Sequence, residues 1–209
     1  YNENYEQPPQ PDHVDKCDIT SGLYKFDDGP DLGDDAHRAT ILFSGPSYLA
    51  AKEAQAILAE QYNVAAELWS VTSYKRLREN AINVQRRNRL NPLGERLVPM
   101  VTSKLRDSAG PIIALSDWMA GVVGQINRWT PRPMSVLGTD GFGRSDTREA
   151  LRSFFEVDAA HVVVTVLNSL ARDGEIERKV VADAITTFGI DPNRPDPAHP
   201  DTGATGIGR

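Results

Sequence analysis

The sequence has 209 residues, of which 40% are apolar and 25% charged, the composition of an ordinary globular domain. Its formal net charge of −6 argues against nucleic-acid binding, which needs a basic surface, and no segment approaches the roughly 20 consecutive apolar residues of a membrane span. A single cysteine, Cys17, excludes an internal disulfide and a thiolate metal site, and we expect a cytoplasmic protein.

The first part of the chain shows little periodicity. Prolines at positions 8, 9 and 11 indicate that residues 1–16 form an extended linker. A short edge strand is predicted over residues 20–26. The sequence DDGPDLGDD at residues 27–35 has the composition of a polar loop.

From residue 39 onward, strand-like and helix-like segments alternate, which predicts a largely parallel sheet with helices on both faces. Buried strands are predicted at residues 39–43, 64–71, 111–115 and 134–137. A helix is predicted after the first of these strands, with Ser47 placed to cap its first turn. Further helices are predicted between the second strand and about Leu90, and over residues 99–106 and 118–129.

The last third of the chain predicts three helices. Asp146 and Glu149 form a capping-box pattern before the first, and Asp158 can cap the second. The second helix contains the β-branched run at residues 162–166, which favours a strand by intrinsic propensity. We nevertheless predict a helix, because the cap and a length of about 15 residues favour it. The third helix is closed by Gly189.

These patterns divide the chain into three parts. Residues 17–190 form one α/β domain, and residues 1–16 precede it as the linker. Beyond Ile190, residues 191–209 contain four prolines and no apolar pattern that could offset ordering entropy, so we expect a disordered tail.

A glycine-rich segment, Gly138 to Asp146, follows the last predicted strand, where open α/β sheets usually bind ligands. Its spacing matches neither the dinucleotide fingerprint nor the P-loop. With Asp146 at the cap and Asp140 nearby, a bound anion would be repelled, so a structural loop is favoured over a phosphate site. Asp140 and the distant Asn168 mimic a magnesium motif, but Asn168 lies in a predicted helix, and we reject the match.

The four histidines, at positions 13, 37, 161 and 199, are scattered and show no metal-site or nucleophile–base spacing. We therefore assign no catalytic, cofactor-binding or metal-binding residue. Residues 74–96 carry seven basic and two acidic side chains, a net charge of +5. A solvated helix face is favoured for this segment; the alternative is a basic interface, centred on Arg86, Arg87 and Arg89, with an acidic surface.

Five segments carry a resemblance to a known family. They are YNENYEQPPQP at the start, SVTSY at 70–74, RNRLNPLGERLVP at 87–99, LGTDGFGRSDTREALRSFFEVDAAHVVV at 137–164 and GEIERKVVADAITTFGID at 174–191. The long block is highly specific. Together they make the chain similar to the C-terminal domain of the homodimeric bacterial pyruvate dehydrogenases, whose subunits resemble transketolase.

The resemblance implies a three-layer α/β/α sandwich with a mostly parallel five-stranded sheet and one antiparallel edge strand. It also implies that residues 1–16 lead from a preceding pyrimidine-binding domain. The intact enzyme of this family is an oxidoreductase of the pyruvate dehydrogenase complex, downstream of glycolysis. It decarboxylates pyruvate and passes the acetyl unit to lipoyl groups of an acyltransferase. Its thiamine diphosphate and Mg²⁺ are bound by domains absent from this chain, so the chain alone is expected to be inactive.

For this chain the resemblance implies a structural role. Its expected partners are the other domains of its subunit, the homodimer partner and the lipoyl-bearing acyltransferase, with no nucleic acid and no membrane. The best interface candidate is the loop that contains Asp140, Phe142, Arg144 and Ser145, because strand-end loops point toward neighbouring domains. Two alternatives stay open: a stand-alone nucleotide- or anion-binding α/β module, and a non-catalytic scaffold.

Overall fold

A computed structural model describes residues 8–198, in which five strands form one sheet in the order β1-β3-β2-β4-β5. The strands are β1 Tyr24–Asp27, β2 His37–Phe43, β3 Val64–Ser70, β4 Ile112–Leu115 and β5 Met134–Leu137. Strands β2 to β5 are parallel to one another. Strand β1 is an edge strand and runs antiparallel to its neighbour β3. The predicted mixed sheet with one antiparallel edge strand is confirmed.

Eight helices flank this sheet within the described part of the chain. They are α1 Lys16–Ser21, α2 Tyr48–Tyr62, α3 Tyr74–Leu90, α4 Met100–Lys104, α5 Ala120–Gly124, α6 Arg148–Phe154, α7 Ala159–Arg172 and α8 Arg178–Thr187. Short 3₁₀ turns precede α2 and β5. The predicted helix of residues 118–129 is therefore divided into α5 and the turn Asn127–Trp129.

The sheet is covered on both faces, which gives the predicted α/β/α sandwich. Along β2, Ile41 and Phe43 pack under α2, α7 and α8, whereas Leu42 points to the opposite face, under α3, α4 and α5. This alternation follows from the period of two residues in a strand. All three side chains are almost fully buried, and each such burial stabilises the fold by about 2 kcal/mol.

Helix α7 confirms the prediction for the β-branched run. Asp158 is its N-cap, and its carboxylate accepts a hydrogen bond from the backbone N–H of His161 at 3.0 Å. Val162, Val163 and Val166 are buried against the sheet. Tertiary burial of the β-branched side chains thus outweighs their weak preference against the helix.

One segment, Arg148–Arg172, is long and apolar enough to cross a membrane when judged by length and composition alone. Glu156, with φ of 58°, lies between α6 and α7 and interrupts the helix. Seven residues of α7 are buried. Core helices of globular proteins meet the same criterion, and here the segment forms part of the core.

Of two predicted helix caps, one was wrong and the other lacks its side-chain hydrogen bond. Asp146 does not cap α6; Thr147 does, accepting a hydrogen bond from the backbone N–H of Ala150, while Asp146 accepts from the N–H of Thr147. Ser47 occupies the N-cap position of α2 but makes no capping hydrogen bond, because the 3₁₀ turn Gly45–Ser47 runs directly into the helix and keeps the Ser47 backbone helical; its hydroxyl donates to Asp117 Oδ1 at 3.3 Å. At α6, the two neighbouring side chains Asp146 and Thr147 could both cap the helix, and Thr147 does so.

The ends of the described chain pack on the domain. Before the predicted edge strand, Asp15 caps the unpredicted helix α1, and Val14 is buried. After α8, the guanidinium of Arg194 donates to the carbonyl of Ser153 and lies over the ring of Phe154. Residues 1–7 of the predicted linker and 199–209 of the predicted tail lie outside the described residues.

Candidate interdomain surface

The carboxyl ends of the four parallel strands meet at one edge of the sheet. The chain leaves β2 toward the face that carries α2, and it leaves β4 toward the opposite face, which carries α5. A crevice of about 700 Å³ lies there, lined by residues that follow β2, β3 and β4. Such a switch point is where open α/β sheets usually bind ligands.

Hydroxyl groups join the two loops at this crevice. The Oγ atoms of Ser44 and Ser116, which follow β2 and β4, lie 2.7 Å apart, and Ser116 Oγ also accepts from the backbone N–H of Trp118 at 3.1 Å. The Thr139 hydroxyl, after β5, donates to the carbonyl of Asp117 at 2.6 Å. These bonds fix the strand-end loops and hold the crevice rigid.

The predicted interface loop lies beside this crevice. Asp140 Oδ2 accepts from the backbone N–H of Ala120 at 3.2 Å, so its carboxylate supports the start of α5. Phe142 is 90% exposed, and Ser145 is exposed as well. The guanidinium of Arg144 lies 4.1 Å from the ring centroid of Phe154 on α6. The structure therefore anchors both ends of the loop and leaves its apolar tip in solvent.

Four exposed apolar side chains lie on the loops and on α5 at this edge of the sheet, Trp118, Met119, Val122 and Phe142, and we call them the carboxyl-edge patch. Trp118 is 67% exposed and Met119 54%. A hydrogen bond from the N–H of Thr139 to the carbonyl of Trp118 joins the two loops that carry the patch. Neighbouring exposed aromatic and methionine side chains are typical of protein–protein contact surfaces.

Sequence reasoning identified only one member of this patch, Phe142. It placed Trp118 and Met119 in a helix, but both lie in the loop before α5. The sequence held one signal, because residues that follow a buried strand lie at the sheet edge. The sequence did not reveal that α5 begins only at Ala120, which leaves both residues in the preceding loop.

The predicted basic interface lies elsewhere. Arg86, Arg87 and Arg89 are all exposed on the last turns of α3, which runs away from the carboxyl edge. The structure therefore does not bring the two predicted interfaces together, and they are two separate surfaces.

Potential metal ligands are dispersed among the described residues. No group of three or more His, Cys, Asp or Glu side chains among residues 8–198 could hold a metal ion. The Asp140 carboxylate is bonded to the backbone of Ala120, and Asn168 is exposed on α7, which supports rejecting that pair as a metal motif.

The histidines have structural partners. His13 Nε2 contacts the carbonyl of Lys25, and His37 Nδ1 lies 3.2 Å from Glu175. His161 Nδ1 lies 2.7 Å from Asp158 Oδ1. Burial raises the pKa of Asp158, but hydrogen bonds and the charge of His161 outweigh burial and lower that pKa below its ordinary value. The fourth predicted histidine, at position 199, lies outside the described residues.

Comparisons with known proteins identify relatives of this domain. A model of the transketolase-like TK C-terminal domain family matches residues 22–158. The chain is 44% identical over 191 residues to a protein of Mycolicibacterium smegmatis named pyruvate dehydrogenase E1 component. Proteins of the same name from Pseudomonas aeruginosa and Escherichia coli K12 are 42% and 40% identical over 197 residues.

These alignments cover 91% to 94% of this chain and 20% to 22% of the relatives. The chain thus spans about a fifth of the length of the curated relatives it matches. Among solved structures, a transketolase from Leishmania mexicana aligns with a TM-score of 0.48 and 17% sequence identity, over 74% of this chain and 19% of that chain.

Proposed function

This chain belongs to the transketolase-like C-terminal domain family, and from that premise we propose that it is the C-terminal domain of a thiamine-diphosphate-dependent pyruvate dehydrogenase. The identity of 40% to 44% with pyruvate dehydrogenase E1 components over nearly the whole chain is the observation that carries the proposal. The resemblance found in the sequence is thereby confirmed.

The proposed intact protein decarboxylates pyruvate and transfers the acetyl unit to lipoyl groups of an acyltransferase. It acts in the cytoplasm as a homodimer within a pyruvate dehydrogenase complex. Its Mg²⁺ and thiamine diphosphate are held by upstream domains, to which residues 1–16 connect. The upstream domains thus carry out the chemistry that depends on the cofactor, and the domain of residues 17–190 is inactive by itself.

The proposed role of this domain is to support the upstream domains through the carboxyl-edge patch. The patch exposes a tryptophan, a methionine and a phenylalanine on loops that internal hydrogen bonds hold in place. Because these loops are already ordered, covering the patch costs little loop-ordering entropy, which favours a stable contact.

Substituting the patch in the complete E1 polypeptide tests this role. Trp118→Ser and Phe142→Ser together should lower pyruvate turnover and the temperature at which the enzyme unfolds, because the contact loses its apolar centre. In the isolated chain both residues are exposed, so the same pair should change its stability by less than about 0.5 kcal/mol. Ile82→Ser, on the exposed side of α3, is the matched control.

If the double variant of the complete enzyme kept full turnover and unchanged thermal stability, the patch would have no supporting role. If the isolated chain itself lost stability, the loss in the complete enzyme would reflect misfolding of this domain. Comparing the two proteins separates these outcomes.

A second candidate function, anion binding, is favoured by one cleft. This cleft of about 440 Å³ lies between the loop after β5 and α6, and its lining includes Arg144, Arg148 and Arg152 together with Asp117 and Asp146. Three guanidinium groups against two carboxylates give this lining a net positive charge, which favours an anion. Titration with ATP and with inorganic phosphate, followed by calorimetry, tests it: saturable binding that Arg152→Gln abolishes supports the site, and no heat refutes it.

A further inference from the structure

Charge is unevenly distributed in this domain. Residues 86–96 hold four arginines and one glutamate, a net charge of +3 in a chain whose total is −6. Residues 27–35 hold five aspartates and no basic residue, a net charge of −5. The fold contains one strongly basic segment and one strongly acidic segment, and neither neutralises the other within the described domain.

The basic segment is a preorganised projection, here called the basic arm, formed by the end of α3 and the loop of residues 91–98. Asn88 holds the loop with two side-chain bonds to the backbone of Leu97, at 2.9 and 3.0 Å. Asn80 accepts from the N–H of Met100 at 2.8 Å and holds the loop's far end. The loop therefore has a defined shape without covering its apolar tip.

That tip is unusually apolar for a solvent-facing loop. Leu93 is fully exposed at 100%, and Leu90 and Val98 are 56% and 45% exposed. Arg86, Arg87, Arg89 and Arg96 lie near them along the chain, and all four are exposed. Exposed leucines among arginines on an ordered loop are typical of a contact surface, because clustered exposed apolar side chains mark interaction sites and arginine is enriched in interfaces.

The acidic segment, here called the acidic loop, is also held in place. Gly29, at φ of 79°, packs so closely on β3 that a Cβ atom there would lie 2.5 Å from the carbonyl oxygen of Ala66. Arg38 donates to the carbonyl of Gly33 at 3.0 Å. Lys25 and Lys52 pair with the first two aspartates, whereas Asp31, Asp34 and Asp35 face solvent.

Both features lie at the amino edge of the sheet. The acidic loop joins the end of antiparallel β1 to the start of β2, where His37 pairs with Val64, the first residue of β3. Helix α3 begins after the carboxyl end of β3, and its 17 residues span about 25 Å, the length of that strand. The basic arm at its end therefore reaches the amino edge, on the sheet face opposite α2.

We propose that the basic arm of one molecule docks on the acidic loop of a second copy of this chain, and that the contact is reciprocal. A two-fold axis at the amino edge brings each arm to the partner's loop, so that two equivalent contacts form at once. Pro30 and Leu32, half-buried between the aspartates, offer apolar surface for the arm's leucines. The charges of the two elements are complementary in sign.

This pairing rests on one part of the proposed function, namely that the intact protein is a homodimer to which this domain contributes. The pairing places the dimer contact of this domain at the amino edge, whereas the carboxyl-edge patch faces the upstream domains. The two surfaces lie at opposite edges of the sheet, so one molecule can use both.

A charge-swap experiment with the 209-residue chain tests the pairing, and sedimentation velocity gives the dissociation constant of the dimer. The chain should dimerise with rising concentration, and raising NaCl from about 0.05 to 0.5 M should weaken the dimer. Reversing the arm with R86E/R87E, or the loop with D34R/D35R, should each weaken it at least about tenfold, because both reciprocal contacts become repulsive.

An equimolar mixture of the two reversed variants should restore the dimer. In that mixed pair the acidic arm of one variant meets the basic loop of the other, and the unchanged arm meets the unchanged loop, so both contacts are attractive. A control, K75E/R76E, makes the same change of charge in the first turn of α3, at the carboxyl edge, and should leave the dissociation constant unchanged. Rescue by mixing separates a direct contact from a general effect of net charge.

The proposal is overturned if the wild-type chain stays monomeric at low salt, if either reversal leaves the dimer intact, or if the mixture remains monomeric. All four substituted positions are exposed, and circular dichroism verifies the fold of each variant. If a reversal unfolds the chain, the neutral pairs R86Q/R87Q and D34N/D35N replace it and should weaken the dimer at least about threefold. Pyruvate decarboxylation does not enter this test, so its outcome is independent of the proposed enzyme.

Discussion

The N-cap of α7 offers a quantitative test of how local sequence stabilises this fold. Asp158 accepts a hydrogen bond from the backbone N–H of His161 at 3.0 Å, and the same carboxylate oxygen lies 2.7 Å from His161 Nδ1. Helix α7 packs on α2, α8 and β4, so loss of the cap weakens a central element of the core. The change to test is Asp158→Ala.

We expect this change to lower the free energy of unfolding by about 2 kcal/mol at pH 7. The lost cap contributes about 1 kcal/mol, and the lost side-chain bond to the largely buried His161 contributes about 1 kcal/mol more. Asp158→Asn is the matched control. An asparagine caps nearly as well as an aspartate, so it should cost only about 1 kcal/mol, mainly through the lost charge.

The effect depends on pH in a defined direction. The pKa of Asp158 is lowered in the folded chain, despite the opposing effect of burial, by its bonds to His161. The contribution of the ionised carboxylate to the free energy of unfolding is complete above about pH 4, the pKa of an aspartate in the unfolded chain. This contribution is lost as the pH falls through the lower pKa that Asp158 has in the folded chain. The difference between wild type and Asp158→Asn should shrink between about pH 5 and pH 2.

Urea unfolding, followed by circular dichroism at several pH values, measures these differences. A loss below about 0.5 kcal/mol for Asp158→Ala at pH 7 would refute the assigned role of the cap. A difference between wild type and Asp158→Asn that stayed constant from pH 7 to strongly acidic pH would refute the assigned role of the charge.

Three further changes test the packing by the same urea measurement. Gly110→Ala should lower the free energy of unfolding by about 3 kcal/mol or more, because φ is 66° and the added Cβ atom would lie 1.7 Å from the carbonyl oxygen of Arg38. The control is Gly143→Ala, which has open space around the added Cβ atom and should cost less than about 1 kcal/mol. Leu167→Ala should cost about 2 to 5 kcal/mol through the cavity it leaves in the α7 core, and a smaller loss would contradict the burial of this residue. Glu175→Gln should change stability by less than about 0.5 kcal/mol, because its pair with His37 is exposed to solvent.

The parts of the fold that depend on periodicity could be predicted from the sequence. The strands β2 to β5 appear as short apolar runs, and α3 was predicted to end near Leu90, where the structure ends it. Helix α7 was predicted correctly against its β-branched run because a cap and a continuous apolar face are local signals.

The short elements could not be predicted in this way. Helix α1 has six residues, fewer than two turns, and its Asp15–Asp18 capping box lies in a segment whose prolines predict a linker. At α6, Asp146 and Thr147 are both suitable caps, and the path of the preceding loop selects Thr147. Sequence spacing does not contain that path.

The sequence predicted which segments form the candidate surfaces, but not the side-chain contacts and exposures within them. Phe142 and Arg144 were correctly placed on a loop after the last strand, but the contact of Arg144 with Phe154 joins groups that only the folded chain brings together. Arg86, Arg87 and Arg89 were identified by charge alone. The exposed leucines beside them became visible only when the structure showed that the loop after α3 turns back without covering them.

The central claim is that this chain is a folded supporting domain whose enzyme chemistry resides upstream. Release of labelled carbon dioxide from pyruvate, in the presence of thiamine diphosphate, Mg²⁺ and an electron acceptor, tests it most directly. The isolated 209-residue chain should release no more than buffer, while the complete E1 polypeptide should turn over. Cofactor-dependent release of carbon dioxide by the isolated chain would contradict the account.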